Sequence, residues 1–244
     1  MVIRVNVEFL AKDAVKAVDR GDLIVIIDAL RCSSTIVTAL ANGAKAIIPV
    51  RTLDEARRFH AENPNYILAG ERGGLKPRGF ELGNSPLEYT PEKVSGKIII
   101  LTTTSGTSAL TYSRGAKWIF VGSFLNAKAV AEKSISIANA EDIGISIVQA
   151  GTKGRFSLED FLCTGAIVNE LSKSESEVEL SDAAQASLLA FKDAEDDLLA
   201  NIMKSNHSKK LIELGFTKDI EFSCRKNLFS IVPIYRKGII TKIE

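Results

Sequence analysis

Residues 23–50 read LIVIIDALRCSSTIVTALANGAKAIIPV. Leu23 to Ile27 is an unbroken apolar run, rich in β-branched side chains and without polar alternation. That is the pattern of a strand covered on both faces. Asp28 follows at once, then Arg31, then the hydroxyls Ser33, Ser34 and Thr35, which open a helical spacing from Ser33 to Asn42. A Gly43-Ala44-Lys45 turn leads into a second apolar run, Lys45 to Val50. Strand, polar loop, helix, turn and strand form the repeating unit of a mostly parallel sheet.

The same alternation continues outward. Tyr66 to Ala69, Lys97 to Leu101, Trp118 to Val121 and Ile143 to Val148 read as strands. Thr52 to Ala61, Thr107 to Ser113, Ala127 to Ala138 and Leu158 to Leu171 read as helices. Shifted by 72 positions, residues 23–56 fall on 95–128 without a gap, so that Ser33 meets Ser105, Thr35 meets Thr107, and one Gly-Ala-Lys turn meets another. The expected fold is α/β, with mostly parallel sheets, helices on both faces and two similar βαβ units at an offset of 72. Residues 1–92 and 93–180 are the two units. Residues 181–244 are a C-terminal part that completes the fold with a helix over 183–203 and the β-like runs FSIVPIY and KGIITKI. Ser172 to Asp182 reads as a polar linker.

The 244 residues carry a formal net charge of +1. This gives no electrostatic reason to expect nucleic acid or a membrane surface as partner. No apolar run approaches membrane-spanning length, and MVIRVNVEFL lacks the pattern of a signal peptide. Cys32, Cys163 and Cys224 are odd in number, widely spaced and outside any CxxC pair, so neither a disulfide framework nor a zinc site is expected, and a reducing cytoplasm is.

Loops that follow parallel strands are where such folds bind ligands, and helix N-termini there favour anions. Four of these loops carry reactive residues. Asp28 to Thr35 offers a metal-binding carboxylate and a guanidinium that forks onto phosphate or carboxylate, with Ser33 or Ser34 also suited to capping the helix. Gly70 to Phe80 sets Glu71, Arg72, Lys76 and Arg78 among glycines. Thr102 to Thr107 is a hydroxyl-rich turn containing Thr103 and Ser105. Gly151 to Asp160 carries Lys153 and Arg155 ahead of Ser157, Glu159 and Asp160, where the acids could equally complement a helix dipole.

Several mechanisms lack their motif. There is no DxD pair after a strand, no Walker A spacing and no GxGxxG after the first strand. His60 and His207 are the only histidines, and neither sits in a loop at the active edge. Carboxylates with basic residues remain, a combination that suits a hard ion such as Mg²⁺ between protein oxygens and a phosphate.

At these same loops the chain resembles the magnesium-dependent 2-phosphosulfolactate phosphatases. The likeness is carried by IDALRCSSTIVTAL, LAGERGGLKPRGFELGNSP, ILTTTSGT, VGSFLNA and AGTKGRFSLED, and more weakly by LIELGFTKDIEFSCRKN. It implies hydrolysis of 2-phospho-3-sulfolactate to 3-sulfolactate and phosphate, a step towards coenzyme M. The expected metal ligands come from Asp28, Glu71, Glu159 and Asp160, and Asp28, Arg31, Glu71 and Glu159 are the expected catalytic residues. Arg31, Thr103, Ser105 and Lys153 are candidates for the phosphoryl oxygens, Arg72, Lys76, Arg78 and Arg155 for the sulfonate and carboxylate, and Ser33 for a further substrate contact. The expected partner is a small anionic phosphorylated substrate, and a homodimer is compatible with this reading. Direct attack by water is expected, with a phospho-Asp28 or phospho-Ser33 enzyme as the alternative.

Overall fold

A computed structural model describes residues 2–104 and 106–243. The elements follow one another as β1 (Ile3–Glu8), α1 (Ala14–Arg20), β2 (Leu23–Ile27), α2 (Cys32–Ala41), β3 (Ala46–Val50), α3 (Leu53–Glu62), β4 (Ile67–Gly70), α4 (Pro91–Val94), β5 (Ile98–Thr102), α5 (Gly106–Tyr112), β6 (Ile119–Gly122), α6 (Ala127–Glu141), β7 (Ile145–Gln149), α7 (Leu158–Leu171), β8 (Val178–Leu180), α8 (Asp182–Ala194), α9 (Leu198–Met203), α10 (Asn206–Glu213), α11 (Thr217–Ser223), β9 (Pro233–Arg236) and β10 (Ile239–Lys242). All ten strands join one mostly parallel sheet in the order β4-β5-β3-β10-β9-β6-β2-β7-β1-β8. The fold class expected from the sequence is the one observed.

The two βαβ units recur as β2-α2-β3-α3-β4 and β5-α5-β6-α6-β7. Their elements open at Leu23 and Ile98, Cys32 and Gly106, and Ala46 and Ile119, a spacing slightly above 72. They interlock. β5, which opens the second unit, lies between β3 and β4 of the first, and β2 lies between β6 and β7 of the second. The hairpin β9-β10 joins the halves through antiparallel pairs with β6 and β3, so by strand sense the halves oppose each other. The two C-terminal β-like runs thus complete the sheet from its middle. Three residues of the expected 172–182 linker form the edge strand β8, parallel to β1.

The apolar run that decides the fold is buried throughout. Leu23, Val25 and Ile27 pack into one core with α6, α7 and α8, while Ile24 and Ile26 pack into another with α1, α2 and α5. Both faces of β2 are therefore covered, which is why its sequence does not alternate. Each of these side chains contributes about 1.5–3 kcal/mol by leaving water. The helix expected over 183–203 is broken by a 3₁₀ turn at Glu195–Asp197, and Asp197 caps α9 by accepting the Ala200 N–H. Among the described residues no helix is long and apolar enough to cross a membrane.

On the outer layer α7 and α8 approach closely at Gly165. A Cβ there would stand 2.0 Å from the Ser187 carbonyl oxygen and 2.5 Å from Phe191 Cβ. In an open helix Gly→Ala stabilises by about 1 kcal/mol. Here a backbone atom would have to move, at a cost of about 1–3 kcal/mol. Gly165→Ala should therefore lower the urea midpoint at unchanged slope; a raised midpoint would contradict this packing.

Candidate active site

The four loops converge, although the strands before them belong to opposed halves of the sheet. The loops after β2 and β5 meet where α2 and α5 begin. Gly106 makes this approach possible, since a Cβ there would stand 2.6 Å from Cys32 Sγ and 3.0 Å from Asp28 Oδ2. The first loop is closed by reciprocal bonds: the Asp28 N–H donates to Ser33 Oγ at 2.8 Å, and the Ser33 N–H to the Asp28 carbonyl at 2.9 Å. The Leu30–Arg31 peptide is cis. Thr103 donates its hydroxyl to Cys32 Sγ at 3.6 Å. Burial pushes the Cys32 thiol well up, so it sits there as a neutral thiol and not a nucleophile.

The loops after β4 and β7 are built alike. Arg72 and Leu75 exchange backbone hydrogen bonds around Gly73-Gly74, and Thr152 and Arg155 do so around Lys153-Gly154. All four central residues have positive φ, as a two-residue hairpin of this hand requires. Lys153 is the only non-glycine of the four, at φ 52°, a conformation that costs an L residue about 1–2 kcal/mol. Such strain is retained where the side chain is needed.

Between the loops lies a cavity of about 120 Å³ lined by Asp28, Glu71, Glu159 and Asp160. All four acids are buried. Glu71 accepts the Gly74 N–H and the Thr104 N–H at 2.7 Å each, which ties the second loop to the third. Asp160 accepts the Ala29 N–H at 2.8 Å and the Gly151 N–H at 3.1 Å, which ties the first loop to the fourth. Ser157 caps α7 by accepting the Asp160 N–H, so Asp160 serves the cap with its backbone and the site with its carboxylate. The Glu159 carboxylate makes no hydrogen bond to any described residue. Burial, then the Glu71 charge, raises the Asp28 carboxyl to about 7. Burial followed by the Asp28 and Glu159 charges pushes Asp160 well up.

The basic residues divide into three groups. Arg31 lines the cavity but is anchored: it pairs with Asp219 at 2.6 Å, donates to the Gly74 carbonyl at 2.6 Å and stacks on Phe216. Lys153 also lines the cavity, and it has no hydrogen-bond or ion-pair partner among the described residues. Arg72, Lys76 and Arg78 do not line it. The Arg72 guanidinium holds its own loop through the Glu71 and Arg51 carbonyls and Thr102 Oγ1, and Lys76 and Arg78 are exposed. Arg155 lines an outer groove. Ser33 is spent on the first turn, and Ser105 lies outside the described residues.

A fifth wall was not read from the loops. Helix α10 turns His207, Lys210 and Leu211 to the cavity, and Asn84 lines it from the turn after Gly83. Neither histidine sits in one of the four loops, but His207 reaches the cavity from a helix. Burial holds His207 below its ordinary value, against the Glu159 charge and the Leu30 backbone. The i, i+3, i+4 spacing of 207, 210 and 211 was visible as one helix face, but nothing local showed what that face covers.

The family model described as 2-phosphosulpholactate phosphatase matches residues 9–238. A protein of Clostridium beijerinckii named "Probable 2-phosphosulfolactate phosphatase" is 39% identical over 241 residues, covering 98% of this chain and 99% of the relative. Proteins of the same name from Thermotoga petrophila and Clostridium acetobutylicum are 47% and 43% identical, each over 88% of this chain and 89% and 90% of the relatives. With cavity, loops and match spanning nearly the same residues, the chain belongs to the 2-phosphosulpholactate phosphatase family.

Proposed function

We propose that this chain hydrolyses 2-phospho-3-sulfolactate to 3-sulfolactate and phosphate in a magnesium-dependent reaction in the cytoplasm. The carrying observation is the convergence of four buried carboxylates with an anchored arginine and an unpartnered lysine on one small cavity. Family membership supports the substrate.

The donor chemistry fits the metal. The acidic wall is all oxygen, which suits a hard cation. Among the described residues no three His, Cys, Asp or Glu side chains are gathered at one metal-binding point. Mg²⁺ needs no such cage, because it takes one or two carboxylates and completes its shell with water and phosphate oxygens. Glu71 and Asp160 have both oxygens on backbone N–H groups, so Asp28 and Glu159 are the residues that would hold the ion. When bound, Mg²⁺ supplies Lewis-acid polarisation of the phosphoryl group.

The remaining work falls to the chain itself. Arg31 presents a guanidinium already oriented by Asp219, Gly74 and Phe216, so charge developing on the phosphoryl oxygens meets a donor that need not reorganise. Lys153 adds a second cation. Direct attack by water releases the lactate hydroxyl and phosphate. A phospho-Ser33 route has no geometric support, because the Ser33 hydroxyl is turned to the Asp28 backbone.

Asp28→Asn should reduce phosphate release from 2-phospho-3-sulfolactate with Mg²⁺ by on the order of 100-fold or more. A wild-type chain that releases no phosphate would remove the reading.

Lys153→Gly separates strain from function. Activity should fall at least about tenfold, while stability stays level or rises by about 1 kcal/mol. Parallel assays and urea melts read both, and loss of stability together with activity would mean that Lys153 is structural.

The raised Asp28 pKa also sets a pH dependence without metal. Between about pH 4 and pH 7 the folded chain keeps a proton that the unfolded chain has released. Stability is therefore highest at the acid end and is lost as pH rises through about 7. Urea midpoints of the metal-free protein should fall across this window, and Asp28→Asn should flatten the fall. A midpoint that rises with pH would refute the assignment.

A further inference from the structure

The inner cavity opens into an outer groove of about 670 Å³, and the two share Thr152, Lys153, Glu159, His207 and Lys210. Their charges differ. The inner wall carries four carboxylates. The groove adds Arg155 and Lys204 to Lys153 and Lys210, against Glu159 alone. The Lys210 ammonium has no hydrogen-bond or ion-pair partner among the described residues. It lines both spaces from helix α10, as Lys153 does from the 152–155 hairpin.

Helix α10 holds that position firmly. Ser205 caps it by accepting the Ser208 N–H at 3.1 Å, Leu211 is buried, and α11 behind it is bound to the first loop by the Arg31–Asp219 pair. The cavity wall also carries an unpartnered buried polar atom. Asn84 is 6% exposed and lines the wall, and its Oδ1 has no hydrogen-bond partner. A buried polar atom left so is costly until something bonds to it.

We infer that Lys210 is a specificity-determining residue whose ammonium takes the substrate's sulfonate at this junction, while the phosphoryl end points inward to Asp28, Glu159 and Arg31. The inference rests on the hydrolase reading above and adds the direction in which the substrate lies. A sulfonate is not planar. The three rotatable donors of an ammonium meet its three oxygens without the flat geometry a guanidinium imposes. The second anion of the substrate then balances the unpaired cations of the groove, as the inner cations and metal balance the phosphoryl group.

The test compares kcat/KM for 2-phospho-3-sulfolactate with that for the analogue bearing hydrogen in place of the sulfonate. Lys210→Met should lower this ratio at least about tenfold, chiefly through KM, and Lys210→Arg, which keeps the charge but imposes the flat fork, should recover only part of it. A merely structural lysine would lower both substrates alike and leave the ratio unchanged, which would overturn the inference. Calorimetry with 3-sulfolactate alone gives a readout free of turnover, where Lys210→Met should bind about tenfold more weakly. Equal affinity in wild type and variant, or no binding to wild type, would also overturn it. Wild type that hydrolyses neither phosphoester would sink the hydrolase reading instead, and Lys210 would then be judged on sulfolactate binding alone.

Discussion

Asp28, Glu71, Glu159 and Asp160 share a cavity of about 120 Å³, and like charges held out of water at such spacing cannot all stay ionised without help. Much of the surrounding structure answers that constraint. Glu71 and Asp160 each receive two backbone N–H groups, and in receiving them they bind the four loops to one another. Asp28 answers by holding its proton up to about pH 7. The Glu159 carboxylate receives no hydrogen bond from the described residues. Two of the acids thus tie the loops together, and all four line the cavity.

The interlocking of the two βαβ units explains how the loops reach one another. In a plain doubly wound sheet the loops share one edge because all strands share one sense. Here the halves are opposed in sense, and exchange of the first strands brings the β2 and β5 ends together instead. The paired hairpins after β4 and β7 follow the same internal likeness, down to positive φ at both central residues. Lys153 departs from glycine at one of those places and places a cation on the cavity wall.

The buried Arg31–Asp219 pair closes the assembly. Breaking such a pair by removing one partner costs about 3–5 kcal/mol, because the other charge stays buried and alone. Ser85 shares the load by donating to the second Asp219 oxygen at 2.7 Å. This pair fastens α11, with α10 packed against it, to the first loop.

Most strands and helices were legible because burial on both faces leaves continuous apolar runs, and those runs are local. The loop chemistry was legible for the same reason: Asp28, Glu71, Lys153, Glu159 and Asp160 each stand beside a strand end or helix start that local pattern reveals. Which cations line the cavity was not legible. Arg72 and Lys153 stand in like hairpins at adjacent positions, Arg72 before the turn and Lys153 within it, yet one turns to its own backbone and the other to the cavity. Nor could spacing show that Arg31 would pair with an acid 188 positions away, or that His207 and Lys210 would form a wall. The sequence by itself determined the α/β class and the reactive loops, since periodicity and turn chemistry act over a few residues. Only the tertiary structure decided which of those side chains meet, because long-range packing of the C-terminal helices and the interlocked sheet sets distances that no local pattern encodes.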